Sequence, residues 1–211
     1  MTSNTILAEN DMLLKGGEFV IKDSEAQETF IPEDFNEEQL MVKGMIEEFL
    51  KNEIYPNIQR IEKQEPGLSE ALLKKAADLG LLGAHMPEQF GGMQMDTNTN
   101  TLICEAVGPA GSFCTTYAAH TGIGMLPILY FGNTEQKAKY LPDLISGVKK
   151  AAYCLTEPGS GSDALAAKTK AMLSDDGIHY IISGQKMWIT NGGIADVFVV
   201  FAQIDGDKFT G

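Results

Sequence analysis

The sequence predicts an α+β chain, an all-α helical bundle followed by the first strands of an antiparallel β-sandwich or barrel, on three observations. Apolar residues recur at helical spacing over much of residues 36–147. From residue 148 onward, short apolar runs separated by tight turns take over. Helix-start and turn residues sit where these segments have to begin or end.

Residues 1–35 lack a strong period and close on Pro32-Glu33-Asp34, so they read as an extension lying on the surface. The helical domain is placed at 36–147. Asn36 caps its first helix, with Gln39 in the reciprocal position, and Val42, Met45, Ile46, Phe49 and Leu50 share one face. Ser69 is the expected cap of a second helix through Leu72, Leu73, Ala76 and Leu79, stopped by Gly80. Residues 106–134 contain no Asp, Glu, Lys or Arg. Glycines, prolines, threonines and His120 interrupt that run, which therefore reads as two buried core helices rather than a membrane span. Asn133-Thr134 opens a further helix that should break at Pro142.

The partial β domain occupies 148–211. Ala151 to Thr156 reads as a strand, Asp176-Gly177 as a turn, and Ile178, Tyr180 and Ile182 alternate after it. A strand is expected over Lys186 to Thr190, and one continuous strand over Val197 to Ile204. About four strands leave open edges, so the sequence is expected to stop inside a domain.

A net charge of −13 disfavours a nucleic-acid backbone as partner. Cys104, Cys114 and Cys154 show no CxxC spacing, and His85, His120 and His179 are scattered. Buried, reduced thiols, no metal site and a cytoplasmic location are expected. The N-terminus has neither the basic start nor the apolar stretch of a targeting peptide.

Two segments concentrate chemistry. In YCLTEPGSGSD, Tyr153 to Asp163, a strand enters a loop where Gly159 and Gly161 permit close backbone approach and the Ser160 and Ser162 hydroxyls can face a phosphate. In QKMWITNGG, Gln185 to Gly193, alternation sets Trp188 and Thr190 on one face and Met187 and Ile189 on the other. An aromatic surface beside a hydroxyl suits a planar ring cofactor with polar edges, and it also suits an ordinary core. Residue types alone leave both readings open.

TEPGSGSD followed by GQKMWITNGG resembles the two flavin segments of the acyl-CoA dehydrogenase family, and PEQFGG (87–92) and FGNTEQKAKYLPDLISG (131–147) precede them in the family's order. GGEFVIK and NGGIADVFVVFA look most like the very long-chain branch. The resemblance implies α,β-dehydrogenation of acyl-CoA thioesters with FAD, electron transfer to an electron-transfer flavoprotein, and a homo-oligomer. It implies FAD contacts from Tyr153, Cys154, Leu155, Thr156, Gly161, Ser162, Trp188, Ile189 and Thr190. Ser162 also lies beside the acyl-CoA, and Thr190 bonds the reactive flavin nitrogen. The family's base lies in a C-terminal bundle, so no catalytic residue is expected here and Glu157 reads as a structural loop acid. The acyl tail would thread near Thr116 to Met125, with room left by Gly122 and Gly124. Alternatives are a flavin acyl-CoA oxidase and a flavin- or partner-binding module without turnover.

Overall fold

The computed structural model describes residues 14, 16–204 and 207–210. The chain divides into two compact units, Met1–Gly44 and Met45–Gly211. In the first, helix α1 (Glu18–Ile21) and two 3-10 turns precede helix α2 (Glu37–Phe49), which runs across the division. The α2 start is the reciprocal pair its sequence suggests. The Gln39 N–H donates to Asn36 Oδ1 at 2.9 Å and the Asn36 N–H to Gln39 Oε1 at 3.0 Å. Both bonds meet amides that a helix start otherwise leaves open.

In the second unit a π-turn (Leu50–Ile54) continues α2. Then come α3 (Ile58–Glu62), α4 (Leu68–Asp78), α5 (Thr97–Val107) and α6 (Ser112–Ala118). A second π-turn (Ala119–Gly124), α7 (Leu126–Phe131) and α8 (Thr134–Ile145) complete the helical part. Ile46, Ile54, Leu73, Leu82, Ile103 and Phe113 are at most 1% exposed and fill its core. Burying each such side chain contributes roughly 1.5–3 kcal/mol.

Three local expectations need correction. Helix α4 begins after Gly67, in the left-handed conformation at φ 80°, and Ser69 lies inside the helix rather than at its cap. Pro142 does not end α8, which continues to Ile145. One missing backbone bond costs about 3 kcal/mol, and full burial of Leu141 and Leu144 on either side of the proline offsets it. The uncharged run is not two plain helices but α6, the π-turn and α7. Among the described residues no helix is long and apolar enough to cross a membrane. Gly80, at φ 79°, follows the last turn of α4, as its position suggests.

The α+β order holds: strands follow the helices. Strands β1 (Ala151–Cys154) and β4 (Val197–Val200) form one pair, and β2 (Lys170–Leu173), β3 (Tyr180–Ser183), β5 (Ala202–Ile204) and β6 (Asp207–Thr210) form a sheet in the order β3-β2-β5-β6. Pairing is antiparallel for β2–β3 and β5–β6, as expected, but parallel for β1–β4 and β2–β5. The run from Val197 to Ile204 is split at Phe201, so that its halves serve different sheets. Strand β2 carries no alternation signal of its own, and only the Asp176-Gly177 turn locates it, with Gly177 at φ 68°.

One cluster joins helices to strands among the described residues: Met86, Met125, Leu141, Leu144, Ile145 and Ala151 are buried together, with Val197 packed against them. Of the three free cysteines only Cys154 is buried; Cys104 is exposed and Cys114 half-buried. Cys104 on α5 and Cys114 on α6 line a cavity, so the expectation of buried thiols holds for Cys154 but not for these two.

Candidate functional site

Lys186 and Glu157 organise the place where both singled-out segments meet. The Glu157 carboxylate accepts the Lys168 N–H at 2.6 Å, the Thr169 N–H at 2.9 Å and Lys186 Nζ at 2.8 Å. Lys186 Nζ also donates to the Leu155 carbonyl at 3.0 Å, and the Met187 N–H donates to the Thr156 carbonyl at 2.9 Å. Burial alone would raise the Glu157 pKa, but Lys186, Thr169 and the two amides hold it at about 2. Glu157 is thus an ionised loop anchor with its oxygens already engaged, and a poor proton acceptor.

This anchoring overturns the strand expected at Lys186 to Thr190. The chain there is irregular, and Trp188 adopts a left-handed φ of 59°. Alternation therefore does not place Trp188 and Thr190. Both nevertheless line one cavity of about 230 Å³ with Tyr153, Leu155, Thr156, Ile189 and Ile123. Ile189 thus faces the cavity rather than away from Trp188. The Trp188 side of the site is open: that residue is 82% exposed.

The remaining candidates sit apart from this cavity. Cys154 is buried on β1. Gly161 and Ser162 lie exposed on the loop. The Ser160 hydroxyl does not face outward as expected; it is buried and donates to the Asp163 carbonyl at 2.8 Å. A two-way backbone bridge between Glu157 and Ser160 curls the loop and turns that side chain in. Asp163 makes no side-chain cap bond to the following 3-10 turn. A Cβ on Gly159 or Gly161 would meet nothing of the chain, so this stretch of backbone is open to an incoming group.

Two further residues shape the site. Asn191, at φ 65°, donates from Nδ2 to the Thr116 carbonyl of α6 at 2.9 Å and the Ala151 carbonyl of β1 at 3.2 Å. It pins the Trp188–Thr190 segment to both parts of the unit, and sequence reading passed over it. The signal was available, because Asn before Gly-Gly is a residue suited to the left-handed region. His120 is fully buried: its Nδ1 accepts the Ala151 N–H at 3.0 Å and its Nε2 lies 3.0 Å from the Leu144 carbonyl. The acceptor role of Nδ1 places the proton on Nε2, and burial lowers the pKa to about 4. His120 is thus a core histidine with both ring nitrogens engaged. Among the described residues no His, Cys, Asp and Glu cluster could hold a metal.

A second cavity, of about 440 Å³, lies on the other side of the π-turn, reached by Tyr117, Ala118, Thr121, Gly122 and Leu126. A Cβ at Gly122 meets nothing, whereas one at Gly124 would stand 2.6 Å from Ala151 Cβ and 2.8 Å from the Ala119 carbonyl oxygen. Gly122 fronts open space. Gly124 instead leaves room for β1.

Residues 36–148 match the family model of the acyl-CoA dehydrogenase N-terminal domain, and residues 152–211 that of the middle domain. The chain belongs to the acyl-CoA dehydrogenase family. A probable acyl-CoA dehydrogenase of Bacillus subtilis (strain 168) is 53% identical over 196 residues, covering 93% of this chain and 33% of the relative. The human mitochondrial very long-chain specific acyl-CoA dehydrogenase is 39% identical over 181 residues, 82% of this chain and 27% of that protein. Among solved structures, the acyl-CoA dehydrogenase of Bacillus anthracis complexed with FAD superposes with a TM-score of 0.89 at 51% identity, over 93% of this chain and 34% of that one. The chain thus spans about a third of the length of these relatives.

Proposed function

We propose that this acyl-CoA dehydrogenase chain forms the FAD-facing front of an enzyme that carries out α,β-dehydrogenation of fatty acyl-CoA thioesters. One observation carries the reading: Trp188, in a left-handed conformation that a bulky residue rarely adopts, is held 82% exposed at a cavity shared with Thr156 and Thr190. A backbone strained so as to present an indole outward suits a planar ring that stacks on it. Tyr153, Leu155, Thr156, Trp188, Ile189 and Thr190 would hold the ring, with Cys154 in the strand behind Tyr153 and Leu155 contributing backbone only. Gly161 and Ser162 would meet the pyrophosphate, with Ser162 also beside the acyl-CoA. The FAD supplies the acceptor for the β hydride. The Thr190 hydroxyl, bonded to the ring nitrogen that receives it, stabilises the charge that arrives.

The base that removes the α proton lies outside these residues in this reading, since the Glu157 oxygens are committed to Lys186 and two amides. The cavity beside Gly122 favours a long acyl chain and, with it, the very long-chain branch. Electron-transfer flavoprotein as acceptor and a homo-oligomeric parent complete the proposal.

The test is anaerobic bleaching of flavin absorbance on mixing the longer protein that contains this sequence with palmitoyl-CoA. Thr190→Ala should weaken FAD by up to roughly tenfold and slow the bleaching further. Trp188→Ala with Thr190→Ala should abolish flavin retention; unchanged flavin content would overturn the site. Turnover of butyryl-CoA but not palmitoyl-CoA would overturn the long-chain reading. The 211-residue chain alone should not bleach, and enzyme-like bleaching by it would make Glu157 a base after all.

A further inference from the structure

The buried charge pair behind the proposed ring site has a direction. Lys186 Nζ lies 2.8 Å from Glu157 Oε1 and 3.0 Å from the Leu155 carbonyl oxygen, with 11% and 7% of the two side chains exposed. Leu155 lines the cavity of Trp188 and Thr190. Glu157 instead lines a different hollow, of about 250 Å³, together with Lys168 and Thr169, whose amides take its oxygens. The pair therefore spans the wall between two spaces, its ammonium bonded on the ring side and its carboxylate on the far side. The field of that ammonium reaches β1: burial raises the Cys154 pKa, and the Lys186 charge pulls against the rise. The bond to Leu155 also fixes a peptide. In a trans peptide the N–H and C=O point in opposite directions, so the Thr156 N–H is turned away from Lys186, and among the described residues it donates to no group of the chain.

We propose that Lys186 is a positioning residue that tunes the ring: fixed on the Leu155 carbonyl, it sets the positive end of the buried pair toward the cavity and favours the reduced flavin over the oxidised one. The inference rests on the flavin reading above and deepens it. A hydride carries two electrons and one proton to a neutral ring, so the reduced ring is an anion. Its charge spreads over the end of the ring that Leu155 and Thr156 would meet. A water-excluded ammonium acts on that charge through protein of low dielectric, where its field carries farther than in water. Glu157, bordering the other hollow, cancels only part of it.

The experiment is a potentiometric titration of FAD bound to the longer protein that contains this sequence, against a dye of known potential and without acyl-CoA. The double variant Lys186→Met with Glu157→Gln leaves no charge buried alone. It should lower the preference for reduced over oxidised FAD about tenfold, a fall of about 30 mV for a two-electron couple. Lys186→Arg, which keeps the charge, should stay near wild type. Glu157→Gln alone loosens the same loop but keeps the ammonium, and should not lower the potential. Where a variant holds FAD loosely, the ratio of its Kd values for oxidised and reduced FAD reads the same quantity. An unchanged potential in the double variant would overturn the inference and leave the pair as an anchor only. An equal fall in Glu157→Gln would overturn it too, by assigning the shift to a loosened loop. Wild-type protein that takes up no FAD would remove the flavin reading, and this inference with it.

Discussion

His120 ties the π-turn, the end of α8 and the start of β1 together through two ring nitrogens, and it does so only when neutral. Its folded pKa of about 4 lies below the ordinary 6.5. The unfolded chain therefore takes up a proton first. The stability that His120 contributes is complete above pH 6.5 and is lost progressively as pH falls toward 4, by on the order of 3 kcal/mol. Glu157 acts in the same direction in a lower window, from its ordinary 4.5 down to about 2. Urea unfolding at a series of pH values should show the first decline in wild type and its absence in His120→Gln. The Glu157–Lys186 pair is buried, with 7% and 11% of the side chains exposed. Removing one partner leaves a buried charge alone, so Lys186→Met should cost about 3–5 kcal/mol. The double change with Glu157→Gln should recover much of that, by the same measurement.

Helix α6, the π-turn and β1 meet through a glycine. Because a Cβ at Gly124 would fall 2.6 Å from Ala151 Cβ, Gly124→Ala should push β1 from the turn and destabilise by about 1–3 kcal/mol. Gly122→Ala, facing open space, should be nearly neutral by comparison. Thermal unfolding of the two variants side by side decides this. At this scale the sequence was readable where the signal was local. The Asn36–Gln39 capping pair, the helix start at Asn133, the Gly80 stop and the Asp176-Gly177 turn were visible because each acts within a few residues. The strand expected at Lys186 to Thr190 failed for the opposite reason. Glu157, 29 residues away, takes Lys186, and Asn191 reaches 75 residues back to Thr116. Period-two alternation has no view of such contacts. Motif rather than periodicity singled out the Trp188–Thr190 segment. Trp188 and Thr190 do share a cavity, on irregular backbone rather than on a strand.

Across the whole molecule, one surface stands out against a net charge of −13. The β2–β3 hairpin exposes Met172, Leu173, Ile178, Tyr180, Ile181 and Ile182, each between 47% and 72%. Strand β3 is also the edge of its sheet. Apolar side chains on an open edge favour association, and uniform negative charge opposes it through a repulsion that salt screens. Self-association of the isolated chain should therefore rise with ionic strength. Sedimentation velocity at low and high salt would show it, and Ile178→Asp with Ile181→Asp should return the chain toward monomer. Association that falls with salt would mean that charge pairing, not the hairpin, drives it.

Trp188 is the single tryptophan of the sequence, and it stands in water. All indole fluorescence of this chain therefore comes from the proposed ring site. Emission should lie at the red, solvent-relaxed end of the range and be readily quenched by acrylamide. Because flavin absorbs where indole emits, FAD stacked on Trp188 should extinguish nearly the whole signal by energy transfer, whereas FAD held elsewhere would leave part of it. The protein thus carries its own optical probe at the residue that most needs one. A blue-shifted emission indifferent to acrylamide would show that this indole is covered.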